Sequence, residues 1–189
     1  MERAPKKYEE YAYVIDDLPM GKPGVQRTAF TGRPLLQLVG ETYFTLLEAV
    51  PRAGMEFNLR ERIYVGKKGR TKVEHILGRV TYDDLTSAGR AELPAVIEEI
   101  IKNDVPRFME FFNNSQPVTP RMHSMELIPG IGKRLMWQIL DQRERVPFDS
   151  FDDLQSRTSI TDPVKLLGRR VLKELSEEEK YNIFTRPMV

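Results

Sequence analysis

An α+β chain is predicted, with a small β-barrel at the N-terminus, linking helices, and an all-α C-terminal part. Three observations predict it. Up to about Val80 the chain reads as five or so short strands, alternating around Tyr11, Tyr13 and Ile15 and then running as short apolar segments between Gly- and Pro-rich breaks. The period changes at about Leu85, and Leu93, Val96, Ile97, Ile100 and Ile101 then follow helical spacing. Further on, a Pro129-Gly130-Ile131-Gly132 turn opens another amphipathic run, with Leu135, Met136, Ile139 and Leu140 on one face. The predicted divisions are 1–84 for the barrel, 85–117 for the linking helices and 118–189 for the helical domain.

Composition bounds the reading. The 189 residues suit one large domain or two small ones, and 40% apolar content is enough for real cores. The absence of cysteine excludes a disulfide framework and a Cys-based zinc site and fits a reducing, cytoplasmic setting. No apolar run approaches a membrane span, and Met1–Lys7 is polar, unlike a secretory leader. A net charge of +1 means that any nucleic-acid surface must come from local clustering. The 30% charged content would suit a heat-adapted protein.

In order, 8–17 alternates around Tyr11, Tyr13 and Ile15 as a half-buried strand. Residues 18–34 carry Pro19, Gly21, Pro23, Gly24, Gly32 and Pro34, and so predict a long loop with a short strand near Val25–Thr28. Leu35–Val39 and Thr42–Val50 form a plausible strand pair. Arg60–Val65 and Thr71–Val80 flank Gly66-Lys67-Lys68-Gly69-Arg70 and predict a basic hairpin. Between Arg60 and Arg79 there are seven Lys or Arg against two Glu, the densest basic cluster in the chain. Lys67, Lys68, Arg70 and Lys72 there suit a phosphate backbone; a charged loop that keeps an edge soluble is the competing reading. Greek-key barrels of this size bind single strands with basic and aromatic side chains. At period two, however, most of Tyr11, Tyr13, Tyr43, Phe44, Phe57 and Tyr64 are expected in the core or in cross-strand pairs.

Asp104 is placed to cap a second helix, with Pro106 in its first turn and Phe108, Met109, Phe111 and Phe112 as a packing stripe. Residues 113–120 read as a linker. Ser150 is the expected N-cap of a helix with Asp153 three residues on. Asp162-Pro163 starts another, and Ser176 with Glu177–Glu179 is expected to begin a last acidic helix.

The turn at 129–132 carries the most chemistry. Gly130 and Gly132 lack a Cβ and let backbone N–H groups approach another molecule. Those groups lie at a helix N-terminus, which favours an anion, and Lys133 and Arg134 follow directly. Leu127-Ile128-Pro129-Gly130-Ile131-Gly132-Lys133-Arg134 resembles the helix-hairpin-helix motif, which grips nucleic-acid backbone without reading sequence. The resemblance implies that Gly130, Ile131 and Gly132 supply backbone donors, with Ile131 packed under the turn, and that Lys133 and Arg134 are phosphate cations. A plain αα-corner is the alternative. A second copy would centre on Ile160, 29 residues after Ile131. It lacks both glycines, and Asp162 stands in the slot of Lys133, so it reads as a structural partner, with Lys165, Arg169 and Arg170 adding field.

The arrangement resembles an archaeal family of uncharacterised proteins, described as an oligonucleotide-binding (OB)-like barrel joined to a helix-hairpin-helix domain. That resemblance implies an RNA-related partner. The reading is therefore a non-enzymatic nucleic-acid-binding protein, RNA rather than DNA, with no cofactor and no membrane partner. A protein-interaction adaptor in a ribosomal or transcription assembly is the alternative, favoured if Trp137 heads an exposed apolar patch. A helix-hairpin-helix repair enzyme is third, with Asp149 or Asp152 as its acid. His75 and His123 lack metal-ligand spacing, and no metal site is expected.

Overall fold

The computed structural model describes residues 8–22 and 32–187. The strand expected near Val25–Thr28 lies outside them. The chain divides into two compact units: one holds the sheet and runs to Val96, with the chain end from Phe184; the other is Ile97–Ile183.

The first unit is a curled antiparallel half-barrel of β1 (Tyr11–Leu18), β2 (Leu35–Gly40), β3 (Leu46–Pro51), β4 (Arg62–Tyr64) and β5 (Val73–Arg79), in the order β4-β1-β2-β3-β5. Its concave core collects alternate residues of the strands: Ala12 and Val14, Leu36 and Leu38, Leu47 and Ala49, then Ile63, Val65 and Val73. Burying one Leu or Val side chain stabilises by about 1.5–3 kcal/mol. The rim ion pair Arg62–Glu41, at 2.8 Å and half-exposed, contributes about 1 kcal/mol at most. The apolar face therefore sets the curl, and the charges decorate it. Along β1 the register with β2 slips between Val14 and Asp16, a bulge that bends the strand.

The basic hairpin expected at 60–80 is not formed. β4 pairs with β1 and β5 pairs with β3, so the two lie at opposite edges of the sheet and the loop between them crosses from one edge to the other. Short alternating segments specify which side chains point inward, but not which strand each one meets. The aromatic expectation holds. Tyr11 meets Tyr64 edge-to-face at 5.4 Å across β1 and β4, and Tyr13 and Phe44 are buried. Gln37, fully buried on β2, donates to Glu48 Oε1 (2.9 Å) and to the Asp84 carbonyl (3.1 Å), and accepts from the Thr86 N–H (2.9 Å). One satisfied amide thus fastens the sheet to the start of α1 (Ser87–Asn103).

In the second unit α2 (Val105–Asn114) buries Phe108, Met109 and Phe112, as the stripe predicts. Asp104 is its N-cap residue but makes no side-chain cap bond. The expected linker, 113–120, holds the first strand of a small hairpin, β6 (Pro117–Thr119), which pairs with β7 (Met122–His123) just beyond it. A short 3-10 helix, Ser124–Leu127, follows, then α3 (Lys133–Arg145), α4 (Phe151–Arg157) and α5 (Pro163–Ser176). Ser150 caps α4, accepting from the Asp153 N–H at 3.1 Å. No helix begins at Ser176. That residue closes α5, its hydroxyl donating to the Leu172 carbonyl, and Glu177 is extended. Glu179 is drawn instead to Arg170 and Lys173, at 3.0 Å from each. Among the described residues no helix is long and apolar enough to cross a membrane.

Candidate nucleic-acid interface

The Ile128–Ile131 turn is built by its residue types. The Ile131 N–H donates to the Ile128 carbonyl at 3.0 Å, and Gly130 takes φ +99°. Proline at the second position and glycine at the third are what a type II turn requires. Ile128 and Ile131 are buried beneath it, while Pro129 and Gly130 are exposed. A Cβ on Gly130 would come within 2.9 Å of Leu166. Gly132 serves differently. As the N-cap of α3 it has an ordinary φ of −87°, contributes no cap, and a Cβ there would meet nothing within 4 Å. Its carbonyl accepts the Met136 N–H, the first bond of the helix. The N–H groups of the first turn of α3 have no intrahelical acceptor, the N-cap Gly132 has no side chain to cap them, and exposed Lys133 and Arg134 stand beside them.

The second turn closes the same chemistry off. Asp162, at φ +48°, is the N-cap of α5 and accepts the Lys165 N–H at 3.1 Å. Gln138 Oε1 takes both the N–H and the hydroxyl of Ser159, at 2.9 and 2.6 Å. By position in its helix Asp162 therefore matches Gly132, not Lys133: the second turn is one residue longer, and sequence spacing alone misplaces it. A carboxylate fills the place that the first turn leaves open. Of the cations expected to add field on α5, Lys165 and Arg169 are exposed but Arg170 is 1% exposed. Its guanidinium donates to Glu174 Oε1 (2.8 Å), Glu179 Oε2 (3.0 Å), the Leu127 carbonyl (3.1 Å) and the Tyr181 carbonyl. Arg170 is a buried clamp under the first turn.

His123 fixes the approach to that turn. Its Nδ1 accepts the Met125 N–H at 3.2 Å, and Glu126 Oε1 accepts the His123 N–H at 2.9 Å. Burial, with the Arg143 guanidinium adding to it, holds the imidazole below its ordinary pKa of 6.5. Trp137, one turn beyond Lys133 and Arg134, is 64% exposed. Of its neighbours at helical spacing, Lys133, Arg134 and Asp141 are exposed and polar, and Leu140 is half-buried.

The residues expected to form a second footprint lie in the sheet unit and separate into two kinds. Lys67 and Lys68 are exposed at the loop tip. Arg70 folds back, its Nε donating to the Val65 (3.1 Å) and Gly66 (2.7 Å) carbonyls, and so shapes the loop. Lys72 pairs with Glu61 and donates to the Glu56 carbonyl. Burial would raise the Glu61 carboxyl, but the Lys72 hydrogen bond, the Asn58 N–H and the Lys72 charge outweigh it and hold the group below its ordinary value. Arg60 with Glu92 and Arg62 with Glu41 form further pairs at 2.8 Å. Carboxylates thus pair Arg60, Arg62 and Lys72, while Lys67 and Lys68 are exposed and Arg70 bonds only carbonyls. Asp149 accepts from the Ser150 hydroxyl at 2.7 Å, and Asp152 is exposed in the first turn of α4. Among the described residues no group of three His, Asp or Glu is arranged to hold a metal ion.

Residues 8–186 match a family described as a protein of unknown function, DUF655. The chain is 38% identical over 184 residues to the uncharacterised protein MJ0038 of Methanocaldococcus jannaschii, covering 96% of this chain and 82% of that one. It is also similar to the crystal structure of Af1531 from Archaeoglobus fulgidus, with a TM-score of 0.86 and 44% identity, covering 94% of this chain and all of that one.

Proposed function

We propose that this chain, which belongs to the DUF655 family of proteins of unknown function, binds nucleic acid without catalysis, RNA in preference to DNA, by gripping backbone phosphate. One observation carries the reading: of two helix–turn–helix elements, only the first leaves its helix N-terminus uncapped, at Gly132, with Lys133 and Arg134 exposed beside it. An N-terminus left open beside two cations suits a phosphate oxygen. The tandem elements are read as a helix-hairpin-helix pair in which the second copy is structural. The half-barrel is read as a partly open OB-like barrel, a fold that uses its loops and one sheet face for oligonucleotides. Lys67 and Lys68, carried on the loop between β4 and β5, form a second footprint.

The test is binding of a structured RNA and of a DNA duplex of equal length at two salt concentrations, for the wild type and for Lys133→Glu/Arg134→Glu. Each phosphate cation lost should lower the salt slope by about one and weaken all sequences alike. Absence of salt-sensitive binding by the folded wild type rejects the reading. A second reading, docking to a ribosomal or transcription protein, draws on the exposed Trp137, with half-buried Leu140 beside it at helical spacing; the exposed charges of Lys133, Arg134 and Asp141 on the same face favour the first reading.

A further inference from the structure

The open seam between β4 and β5 leaves a cleft of about 640 Å³ in the sheet unit, within the ~300–1,000 Å³ typical of small-molecule sites. Its floor is Leu47, Val65 and Ile76, the first two members of the half-barrel core and the third packed against it. Its rim carries Lys67, Arg70, Arg79 and Arg186. The Arg79 Nη2 donates to the Arg186 carbonyl at 2.8 Å, Lys67 Nζ lies 4.0 Å from the Tyr8 ring, and Arg186 lies 3.8 Å from the Tyr43 ring. Carbonyls and ring faces hold Lys67, Arg70 and Arg79 in place without cancelling their charge. The carboxylate on the wall, Glu9, is itself engaged, accepting the backbone N–H groups of Thr42 (2.8 Å), Tyr43 (2.9 Å) and Thr45 (3.2 Å).

We propose that this cleft takes a single nucleotide, its base against Leu47, Val65 and Ile76 and its phosphate among Lys67, Arg70 and Arg79. An apolar floor beneath a cationic rim matches a molecule with one flat apolar end and one anionic end. Tyr8, 51% exposed on the wall, adds a stacking face. A paired base cannot enter; an unpaired one or a free nucleotide can. The inference rests on the nucleic-acid reading where the nucleotide belongs to a strand, and adds a site within the sheet unit, with Arg79, Arg186 and Tyr8 as new participants.

Methyl NMR of the full chain, titrated with uridine monophosphate, a short oligouridylate and an RNA duplex, tests it. Leu47, Val65 and Ile76 methyls should shift with the single strand and not with the duplex. Comparable shifts with the monophosphate identify a free nucleotide as sufficient; shifts with the oligonucleotide alone identify a strand. Lys67→Gln and Arg79→Gln should each weaken this binding about tenfold, the loss of one charge-assisted hydrogen bond. Among the described residues Lys67 has only a ring contact to lose, so its variant separates binding from folding. Unmoved methyls with both single-stranded probes, or unchanged affinity in both variants, overturn the proposal. Failure of the first-turn reading looks different: Lys133→Glu/Arg134→Glu then leaves duplex affinity unchanged, whatever the cleft methyls do.

Discussion

Arg170 Nη1 donates to the Leu127 carbonyl at 3.1 Å, tying α5 to the residue that leads into the Ile128–Ile131 turn. The same guanidinium is paired with Glu174, itself buried, and with Glu179. Removing one partner from such a pair leaves the other charge buried and uncompensated, at about 3–5 kcal/mol. Arg170→Met should therefore lower unfolding stability by that much, read from urea denaturation. A second change, Glu174→Leu, should recover part of the loss by removing the buried negative charge, although it also gives up the Ile183 N–H bond that Glu174 accepts at 2.8 Å. A double variant as unstable as the single one would mean that the carbonyl bonds, not the ion pair, dominate.

Gly132 and Asp162 hold the same position in two helices, and exchanging their chemistry isolates the role of the open N-terminus. Gly132→Asp has an ordinary φ and free space for the side chain. Its carboxylate should cap α3 as Asp162 caps α5, changing stability by only a few tenths of a kcal/mol, because Gly is itself a tolerated N-cap. Nucleic-acid binding should nevertheless fall sharply, since an anion now fills the anion site. The comparison needs a melting curve and a binding isotherm on the same sample. Full binding by a well-folded Gly132→Asp protein would remove this N-terminus from the interface.

Much of this was readable in the chain, and the misses share a cause. The period change near Leu85, the Ser150 cap and the Pro129-Gly130 turn are local features, set by spacing and backbone preference within a few residues. What failed was partner choice over distance. Arg60–Val65 and Thr71–Val80 read as the two sides of a hairpin, but the strands that form there, β4 and β5, pair with β1 and β3, because closing a curled sheet depends on contacts far apart in sequence. Arg170 read as a surface cation since nothing nearby reveals that Leu127, Glu179 and Tyr181 converge on it. Arg186 reaches the half-barrel cleft from the far end of the chain, with no spacing signal at all.

Trp137 offers a direct optical readout, as the chain's only tryptophan. Exposed one turn beyond Lys133 and Arg134, it should emit at the wavelength of a solvated indole. Binding of RNA at the first turn should quench that emission, and added salt should restore it. If a base stacks on the ring, Trp137→Ala should cost about 1–3 kcal/mol of binding. Binding with no change in emission would move the contact away from this end of α3.

The last prediction concerns pH. His123 is buried, and burial together with Arg143 disfavours its charged form in the folded chain. The unfolded chain then takes up a proton at higher pH than the folded one. Stability should therefore be level above about 6.5, the ordinary imidazole value, and fall as pH drops from there towards the lowered folded value. His123→Asn keeps an N-cap acceptor for the Met125 N–H but cannot titrate, so it should flatten the slope in that window. Carboxylates held below their ordinary values, Glu61 and Glu179 among them, lose their contribution only at lower pH, which keeps the two effects separable. Chemical denaturation across the window, for the wild type and His123→Asn, makes the measurement; equal slopes in the two proteins would assign the pH dependence to another group.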